Sequence, residues 1–435
     1  MDIPKLRYVI FGFSIAIYKN VWYNLNVWYN LLKKDNEGDI MKFEILKNCL
    51  DGIMTEYNTP GVDCIVYKEH KPVFRYFNGF ADVENGIKTD ENTLYLIYSM
   101  TKMLTCTSML QLYEKGKFKL DDELSLYMSE FKNMLLDGNG ADRDASKKVA
   151  SGEGVTKNIV SDASEYANTP ITIRHLFTMT SGFDYAMWTD DVEKCKNEGR
   201  TSTKDIVSEF SKKTLRFEPG TRFQYGLSHD IIGALVEILS GLTLGEYMSE
   251  KIFKPLGMKD TFFGIPKDEK RLLRMAVRYN NKGNEIERLE LENSFNLTDD
   301  YESGGAGLVS STDDYGLFLD ALANGGMGKT GNRILLPTTV ELMHTNQLTG
   351  LPLEDFDAWR RGYGYGLGVR THIDPERSGS LSPVGEFGWD GAAGAFAMVD
   401  TKNKIALAYF QQMQNWDVAI LNKIRNALYK SIEDK

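Results

Sequence analysis

The chain has 435 residues and a formal net charge of −10, and hydrophobic residues make up 42% of it. This length and apolar content suffice for a large buried core. The acidic balance excludes nucleic acid as a main partner, because binding phosphates needs a basic surface. The four cysteines and five histidines are scattered. They offer neither a disulfide framework nor clustered metal ligands, so we expect no metal and no cofactor.

Residues 1–40 differ from the rest of the chain. Their apolar run from Tyr8 to Tyr18 has 11 residues, too few to span a bilayer as a helix. We interpret the segment as an N-terminal extension, either poorly ordered or translated from a mistaken start, with Met41 as the true start. Export or membrane association is the alternative. We therefore expect a folded domain over residues 41–435 in a cytoplasmic protein.

The predicted elements of the folded domain begin with an amphipathic helix after Met41, because apolar residues recur there at helical spacing. The segments "VDCIVYKE" and "VFRYFNGFAD" then predict two strands joined by a turn. A further helix follows Ser99. Residues 137–168 are polar and poor in aliphatic side chains, which indicates a surface insertion.

The middle of the chain is mainly helical in pattern. "TIRHLFTMTSGF" predicts one helix, and the stretch from His229 to Met258 predicts a longer one broken at Gly241. Another helix begins at the cap Ser311 or Thr312. The chain closes with a hairpin, "GAFAMVD-TKNK-IALAYFQQM", and a last helix. This order predicts a mixed α/β (α+β) fold, with an antiparallel sheet flanked by the terminal helices and a mainly helical second lobe.

The pattern SxxK occurs at Ser99–Lys102 and at Ser129–Lys132. Only the first follows an apolar run and opens a well-formed helix, so we interpret the second as surface. Residues three apart on a first helical turn share one face. Burial and the helix N-terminus both disfavour an ammonium ion, so a neutral Lys102 could take the proton of Ser99 as it attacks a carbonyl. The alternative is that Ser99 caps the helix and Lys102 is solvated.

Three other patterns bear on the chemistry. "ALANGGMGKTG" at 321–331 nearly fits a phosphate-binding loop, but a helix precedes it where a strand is needed, so we interpret it as an exposed loop. Tyr225 ends an extended run before a helix and could relay a proton if a cation lowered its pKa. The alternative is a half-buried tyrosine with a satisfied hydroxyl.

Glycines 388, 391 and 394 lie where a strand edge begins. Their spacing indicates either a close approach of the backbone to a ligand or a tight bend.

Six segments in order resemble the serine β-lactamase and penicillin-binding-protein superfamily. They are "YSMTK", "ITIRHLFTMTSGF", "EPGTRFQYGLSHDIIGALVEILSG", "KIFKPLGMKDTFF", "GGAGLVSSTDDYGLF" and "FGWDGAAG". The chain looks most like the class C-related branch that includes family VIII carboxylesterases and D-alanyl-D-alanine peptidases. The resemblance covers nearly everything from Met41 onward. It implies a β-lactamase/transpeptidase-like fold and acyl transfer through a serine.

Carried over residue by residue, the resemblance makes Ser99 the acylated nucleophile and Lys102 its base. Tyr225 matches the tyrosine of the Y-x-N motif, which shuttles the proton to the leaving group. The third motif, usually KTG or HxG, aligns with Trp389-Asp390-Gly391. The oxyanion hole would then consist of the backbone N–H groups of Ser99 and Ala392.

Two departures from the family pattern favour a plain ester as substrate. Leu227 replaces the asparagine of Y-x-N and cannot hydrogen-bond an acylamido group, and Trp389 replaces the basic residue that pairs with a carboxylate. We therefore expect a serine hydrolase acting on small esters. A D-alanyl-D-alanine peptidase or class C-like β-lactamase, with Asp390 and backbone groups supplying the missing contacts, is the alternative, and a non-catalytic relative is a third. Should Lys102 not be the base, His229 is the next candidate.

Overall fold

The computed structural model describes residues 43–136, 165–283 and 285–433. The N-terminal extension and most of the predicted insertion at 137–168 lie outside the described residues. The strands are β1 (Gly61–Lys68), β2 (Lys71–Asp82), β3 (Ile87–Lys88), β4 (Tyr95–Leu96), β5 (Leu135–Leu136), β6 (Thr214–Leu215), β7 (Phe262–Phe263), β8 (Tyr279–Asn281), β9 (Ile286–Arg288), β10 (Leu308–Ser310), β11 (Tyr363–Tyr365), β12 (Arg370–His372), β13 (Phe387–Gly388), β14 (Phe396–Asp400) and β15 (Ile405–Phe410).

The helices of the same residues alternate with these strands. They are α1 (Glu44–Glu56), α2 (Thr101–Glu114), α3 (Ile173–Phe177), α4 (Asp190–Asn197), α5 (Thr203–Glu209), α6 (Ser228–Ser240), α7 (Leu244–Met248), α8 (Lys254–Leu256), α9 (Glu269–Leu272), α10 (Thr312–Ala323), α11 (Pro337–His344), α12 (Gly350–Trp359), α13 (Pro375–Ser378) and α14 (Ala419–Glu433). A short 3₁₀ turn, Tyr98–Met100, precedes α2.

An eight-stranded sheet joins the two ends of the chain, with strand order β11-β12-β13-β14-β15-β1-β2-β3. Its neighbouring strands pair antiparallel, and β1 lies beside β15 with Asp63 opposite Phe410. The predicted first hairpin corresponds to β1–β2 and the predicted last hairpin to β14–β15. The expected mixed α/β fold with an antiparallel sheet is confirmed.

Strand β1 is buried on both faces, and its side chains alternate between two cores as the twofold period of a strand requires. Cys64 and Val66 join the apolar cluster under the terminal helices α1 and α14. Ile65 and Tyr67 point to the opposite face and join the larger core of the helical lobe. The terminal helices therefore cover one face of the sheet, and α10 with the helical lobe covers the other.

The ends of the helices follow local signals in the sequence. Helix α6 stops at Ser240 because Gly241 adopts the left-handed conformation, with φ 77°. Helix α10 begins at Thr312 and is capped by Ser311, whose hydroxyl accepts from the Asp314 N–H. Helix α3 is shorter than the sequence pattern predicted. It ends at Phe177, and Met179 is left-handed at φ 57°, which a continuing helix does not allow.

A second, three-stranded sheet, with strand order β4-β10-β7, leads into the turn that holds Ser99. Strand β4 pairs with β10 through Leu96 and Val309 and ends just before the 3₁₀ turn that holds Ser99. The segment before β10, residues 303–307, is thereby carried alongside the start of α2. Two stretches about 200 residues apart in sequence meet here.

Within the described residues, no single helix combines the length and apolarity needed to cross a bilayer. Helix α6 and the segment Leu244–Leu256 together have the length and apolar composition of a span, but the two parts are bent by 75°. Residues 228–237 of α6 are buried inside the protein.

Candidate active site

Ser99 lies in the 3₁₀ turn between β4 and α2, where a strand end is bent into a helix start. The preceding residue, Tyr98, has a left-handed backbone with φ 44°, an outlier for a bulky side chain. Ser99 is half-buried. The residue before α2 is Met100, and among the residues that the structure describes no side chain caps this helix. The alternative in which Ser99 serves as an N-cap is therefore wrong.

Lys102 is completely buried on the first turn of α2, and its amine meets three oxygen atoms. Nζ lies 3.2 Å from Ser99 Oγ, 2.5 Å from the Tyr185 hydroxyl and 2.7 Å from the Gly305 carbonyl oxygen. Burial lowers the pKa of Lys102 from 10.5 to about 7, although the negative charges of Asp230 and other nearby groups oppose the shift. The alternative of a solvated lysine is wrong.

Two tyrosines complete the surroundings of the amine. The Tyr225 hydroxyl meets the hydroxyls of Ser99 and Tyr185 and accepts from Trp389 Nε1 at 2.9 Å. The Lys102 Nζ lies 4.7 Å from the centre of the Tyr225 ring. Burial raises the pKa of Tyr225, and its hydrogen bonds with Ser99 and Trp389 do not reverse this. The condition that a cation lowers the pKa of this tyrosine is not met, so Tyr225 is a neutral hydroxyl.

The predicted third motif forms a tight turn against the nucleophile segment. The Gly391 Cα lies so close to the backbone that a Cβ there would come within 2.5 Å of the Ile97 carbonyl oxygen. The Gly391 N–H donates to the Ala395 carbonyl and closes the turn. The half-buried Ala392 packs on the small apolar cluster that contains Leu96 and Tyr98. The glycine serves close backbone packing, and it brings Ala392 to the side of the Ser99 turn.

The other two predicted substrate contacts lie in more closed surroundings. Asp390 forms an ion pair with Arg360, whose Nη2 lies 2.7 Å from Asp390 Oδ2. Both side chains are about nine-tenths buried. Leu227 is entirely buried in the main core just before α6. The structure therefore brings Ser99, Lys102 and Tyr225 together, and it does not place Leu227 at an exposed wall.

The other residues and motifs singled out in the sequence either lie outside this cluster or cannot act as the base. His229 is fully buried, its Nε2 lies 3.2 Å from the Phe177 carbonyl, and burial lowers its pKa to about 3. It is a packed helix residue. The second SxxK, Ser129–Lys132, is exposed on a 3₁₀ turn, which confirms its interpretation as surface. The glycine-rich stretch near residue 328 forms turns with an exposed Lys329.

The sequence patterns did not indicate Tyr185, Gly305 or Asp230. Tyr185 belongs to the stretch "SGFDYAMW" and is fully buried against the amine. Asp230 is a carboxylate inside the apolar run of α6, and a charged residue in such a run was an available signal for a buried partner. Gly305 acts through its backbone carbonyl, which no side-chain pattern reveals.

The sequence is similar to a known family and to several named proteins. The Beta-lactamase family model matches residues 46–429. Esterase EstB of Burkholderia gladioli is 26% identical over 378 residues, covering 80% of this chain and 85% of EstB. Acyltransferase calJ of Penicillium decumbens is 28% identical over 369 residues, covering 78% of this chain and 80% of calJ.

Solved structures share the fold over almost the whole described chain. EstCE1, described as a hydrolase with promiscuous acyltransferase activity, matches with a TM-score of 0.72 and 22% identity, covering 90% of this chain and 99% of EstCE1. A family VIII carboxylesterase matches with a TM-score of 0.65 and 18% identity, covering 90% and 97% of the two chains. At these identities the structures establish a common fold.

Proposed function

Because the chain belongs to the β-lactamase family, we propose that it is a serine hydrolase that cleaves small, weakly charged esters through an acyl-serine intermediate. The observation that carries the proposal is the buried Lys102 amine, 3.2 Å from Ser99 Oγ. With a pKa of about 7, a large fraction of this amine is neutral at neutral pH. A neutral amine can act as a general base, and its operating pH matches its pKa.

The three contacts of Lys102 fit a neutral amine. Such a group has two N–H donors and one lone pair. The Gly305 carbonyl can only accept, and the Tyr185 oxygen can accept the second N–H, at 2.7 and 2.5 Å. The lone pair is then left for the proton of Ser99. In the first step Ser99 Oγ bonds to the ester carbonyl carbon while its proton passes to Lys102 Nζ.

The second step returns that proton to the leaving alcohol. The Tyr185 hydroxyl contacts both the amine and the Tyr225 hydroxyl, so a proton leaving Lys102 can pass through two neutral phenols. As the ester C–O bond breaks, the alkoxide takes the Tyr225 proton and Tyr225 is reprotonated along this chain. Water then attacks the acyl carbon, its proton moves to Lys102, and Ser99 leaves with a proton. The net reaction is ester plus water to acid plus alcohol.

Negative charge that develops on the carbonyl oxygen needs donors at fixed positions. The backbone N–H groups of Ser99 and Ala392 are our candidates, since the Gly391 turn packs directly on Ile97. Both donors belong to the main chain, so neither depends on the rotamer of a side chain.

The preference for weakly charged esters rests on the residues around Tyr225. Trp359 and Trp389 pack on its ring with centroid distances of 5.5 and 5.3 Å. The neighbouring cation, Arg360, is already paired with Asp390. Trp389 is 1% exposed and, like Leu227, nearly closed off, whereas Trp359 is half-buried. Aromatic surroundings without a free charge favour an apolar acyl or alcohol group over a carboxylate.

Acyl transfer to an alcohol other than water is a second candidate, favoured by the similarity to acyltransferase calJ over 369 residues. Both reactions use the same acyl-serine and differ in the acceptor. Adding a primary alcohol to the assay and separating ester from acid products distinguishes them.

The proposal is tested by pre-steady-state hydrolysis of p-nitrophenyl butyrate. We expect a burst of nitrophenolate equal to the enzyme concentration, and we expect Ser99→Ala to abolish it and reduce turnover by about 10³-fold or more. Ser129→Ala is the matched control, because Ser129 belongs to the exposed SxxK, and it should keep the full burst. An equal burst in Ser99→Ala refutes the assignment. Faster turnover of nitrocefin than of the ester would favour the β-lactamase alternative.

A further inference from the structure

Asp230 has no place in the steps above, yet it holds together the backbone that faces the lysine. It is 1% exposed, on the first turn of α6. Its Oδ1 accepts from the Tyr301 hydroxyl at 2.8 Å, the Ser303 hydroxyl at 2.7 Å and the Gly305 N–H at 3.2 Å. Three donors from one short stretch of chain thus converge on one carboxylate oxygen.

Within the part of the chain that the structure describes, the second oxygen of Asp230 is buried without a hydrogen-bond partner, and it faces the same stretch. A Cβ at Gly305 would lie 2.5 Å from this Oδ2, so the backbone of residue 305 is seated directly on the carboxylate. The carbonyl group of the same residue contacts Lys102, and its oxygen lies 2.7 Å from Nζ. The carboxylate and the amine are therefore linked through a single residue, Gly305, by its N–H on one side and its carbonyl oxygen on the other.

The geometry points to Asp230 as a positioning residue that seats residues 303–307 and so fixes the Gly305 carbonyl on the Lys102 amine. This inference rests on the proposed function, since it concerns the residue we assign as the base. Asp230 acts in two separable ways. Its hydrogen bonds fix where the carbonyl stands, and its negative charge favours the ammonium form of Lys102.

Other ionisable or polar groups also lie near the Lys102 amine, so Asp230 shares its influence on the pKa of Lys102 with them. They come from α2, α6, the third-motif turn and the two tyrosine segments: Cys106, His229, Asp390, Tyr185 and Tyr225. The negative charge of Asp390 acts in the same direction as that of Asp230, but Asp230 is the larger influence. Burial raises the pKa of the Cys106 thiol, so Cys106 is neutral at neutral pH. His229 is neutral at neutral pH, because burial lowers its pKa to about 3.

Two substitutions separate charge from position. Asp230→Asn keeps an oxygen that accepts from Tyr301, Ser303 and Gly305 and removes the negative charge. The ammonium of Lys102 then loses a stabilising neighbour, so its pKa falls below about 7. Asp230→Ala removes the acceptor as well and frees the residue 303–307 segment.

The test is the pH profile of kcat/KM for p-nitrophenyl butyrate, which reports the ionisation of the free enzyme. For the wild type we expect an acid limb near pH 7. Asp230→Asn should move this limb to lower pH by about one unit while the plateau stays within a few-fold. Asp230→Ala should lower the plateau by about tenfold or more, because the base loses its alignment.

The control is Glu237→Gln on the same helix, an acid whose Oε1 accepts from the Leu244 N–H and which does not contact the amine. It should leave the acid limb in place.

An unmoved limb in Asp230→Asn overturns the charge role, and an unchanged plateau in a folded Asp230→Ala overturns the positioning role. If Asp230→Ala does not fold, Ser303→Ala removes one of the three donors and should lower the plateau without moving the limb; an unchanged plateau there overturns the positioning role instead. Failure of the proposed function is distinguishable, because Ser99→Ala would then retain activity whatever Asp230 does.

Discussion

Tyr98 combines a strained backbone with a specific restraint next to the nucleophile. Its left-handed φ of 44° costs on the order of 1–3 kcal/mol for a side chain of this size. Its hydroxyl accepts from Arg278 Nη1 at 2.9 Å, and Arg278 also donates to the Glu290 carbonyl at 2.7 Å. The ring packs edge-on against Phe295 at 6.2 Å. These contacts hold a conformation that the residue would not adopt by itself, and that conformation sets the direction of Ser99.

Tyr98→Phe should therefore slow acylation while leaving the fold intact. The substitution removes only the hydroxyl that Arg278 holds, so the Ser99 turn gains freedom and we expect the burst rate to fall by about tenfold. The burst amplitude should stay at one per enzyme. Tyr95→Phe is the matched control, since the Tyr95 hydroxyl bonds Asp63 in the sheet and should not affect the burst rate. A Tyr98→Phe enzyme with the wild-type burst rate would show that the restraint is irrelevant to catalysis.

At the scale of elements, the parts predicted correctly are those with local signals. Strands β14 and β15 are apolar runs around a turn, and α6 and α10 carry a stop glycine and a serine cap. Helix α3 was predicted to be longer than it is, because nothing in its sequence pattern indicates the left-handed conformation of Met179. The side-chain period fixes an element, but the backbone conformation at its end is decided by tertiary packing.

The same distinction between local signals and tertiary packing applies to the residues of the candidate active site. The sequence identified Ser99, Lys102 and Tyr225 from segment order, and the structure brings them together. It could not identify Tyr185 or Gly305, which reach the amine from 83 and 203 residues away. Leu227 was predicted as a substrate contact and is instead fully buried. Contacts of this kind depend on how helices and loops pack, which spacing along the chain does not encode.

At the scale of the whole molecule, a buried lysine couples stability to pH. The unfolded chain binds a proton at Lys102 below about pH 10.5, whereas the folded protein does so only below about pH 7. Between these values the unfolded state holds more protons, so the free energy of unfolding rises with pH, by about 1.4 kcal/mol per unit from this residue. Below pH 7 both states are protonated and the dependence ends.

Lys102→Met should remove this contribution. Urea unfolding between about pH 7.5 and 9.5 should show the wild type gaining about 2–3 kcal/mol relative to Lys102→Met as pH rises. Lys132→Met, at an exposed lysine, should keep the wild-type slope. Parallel curves for the wild type and Lys102→Met would mean that the folded protein carries Lys102 as an ordinary ammonium.

The central claim is that Ser99 forms an acyl-enzyme, and the mass of the quenched protein tests it most directly. Mixing with p-nitrophenyl butyrate followed by acid quenching within the burst should add one butyryl group to the wild type. Proteolysis should place that group on the peptide containing Ser99, and Ser99→Ala should gain no mass. A butyryl group on another residue, or turnover with no covalent species at any quench time, would contradict the account.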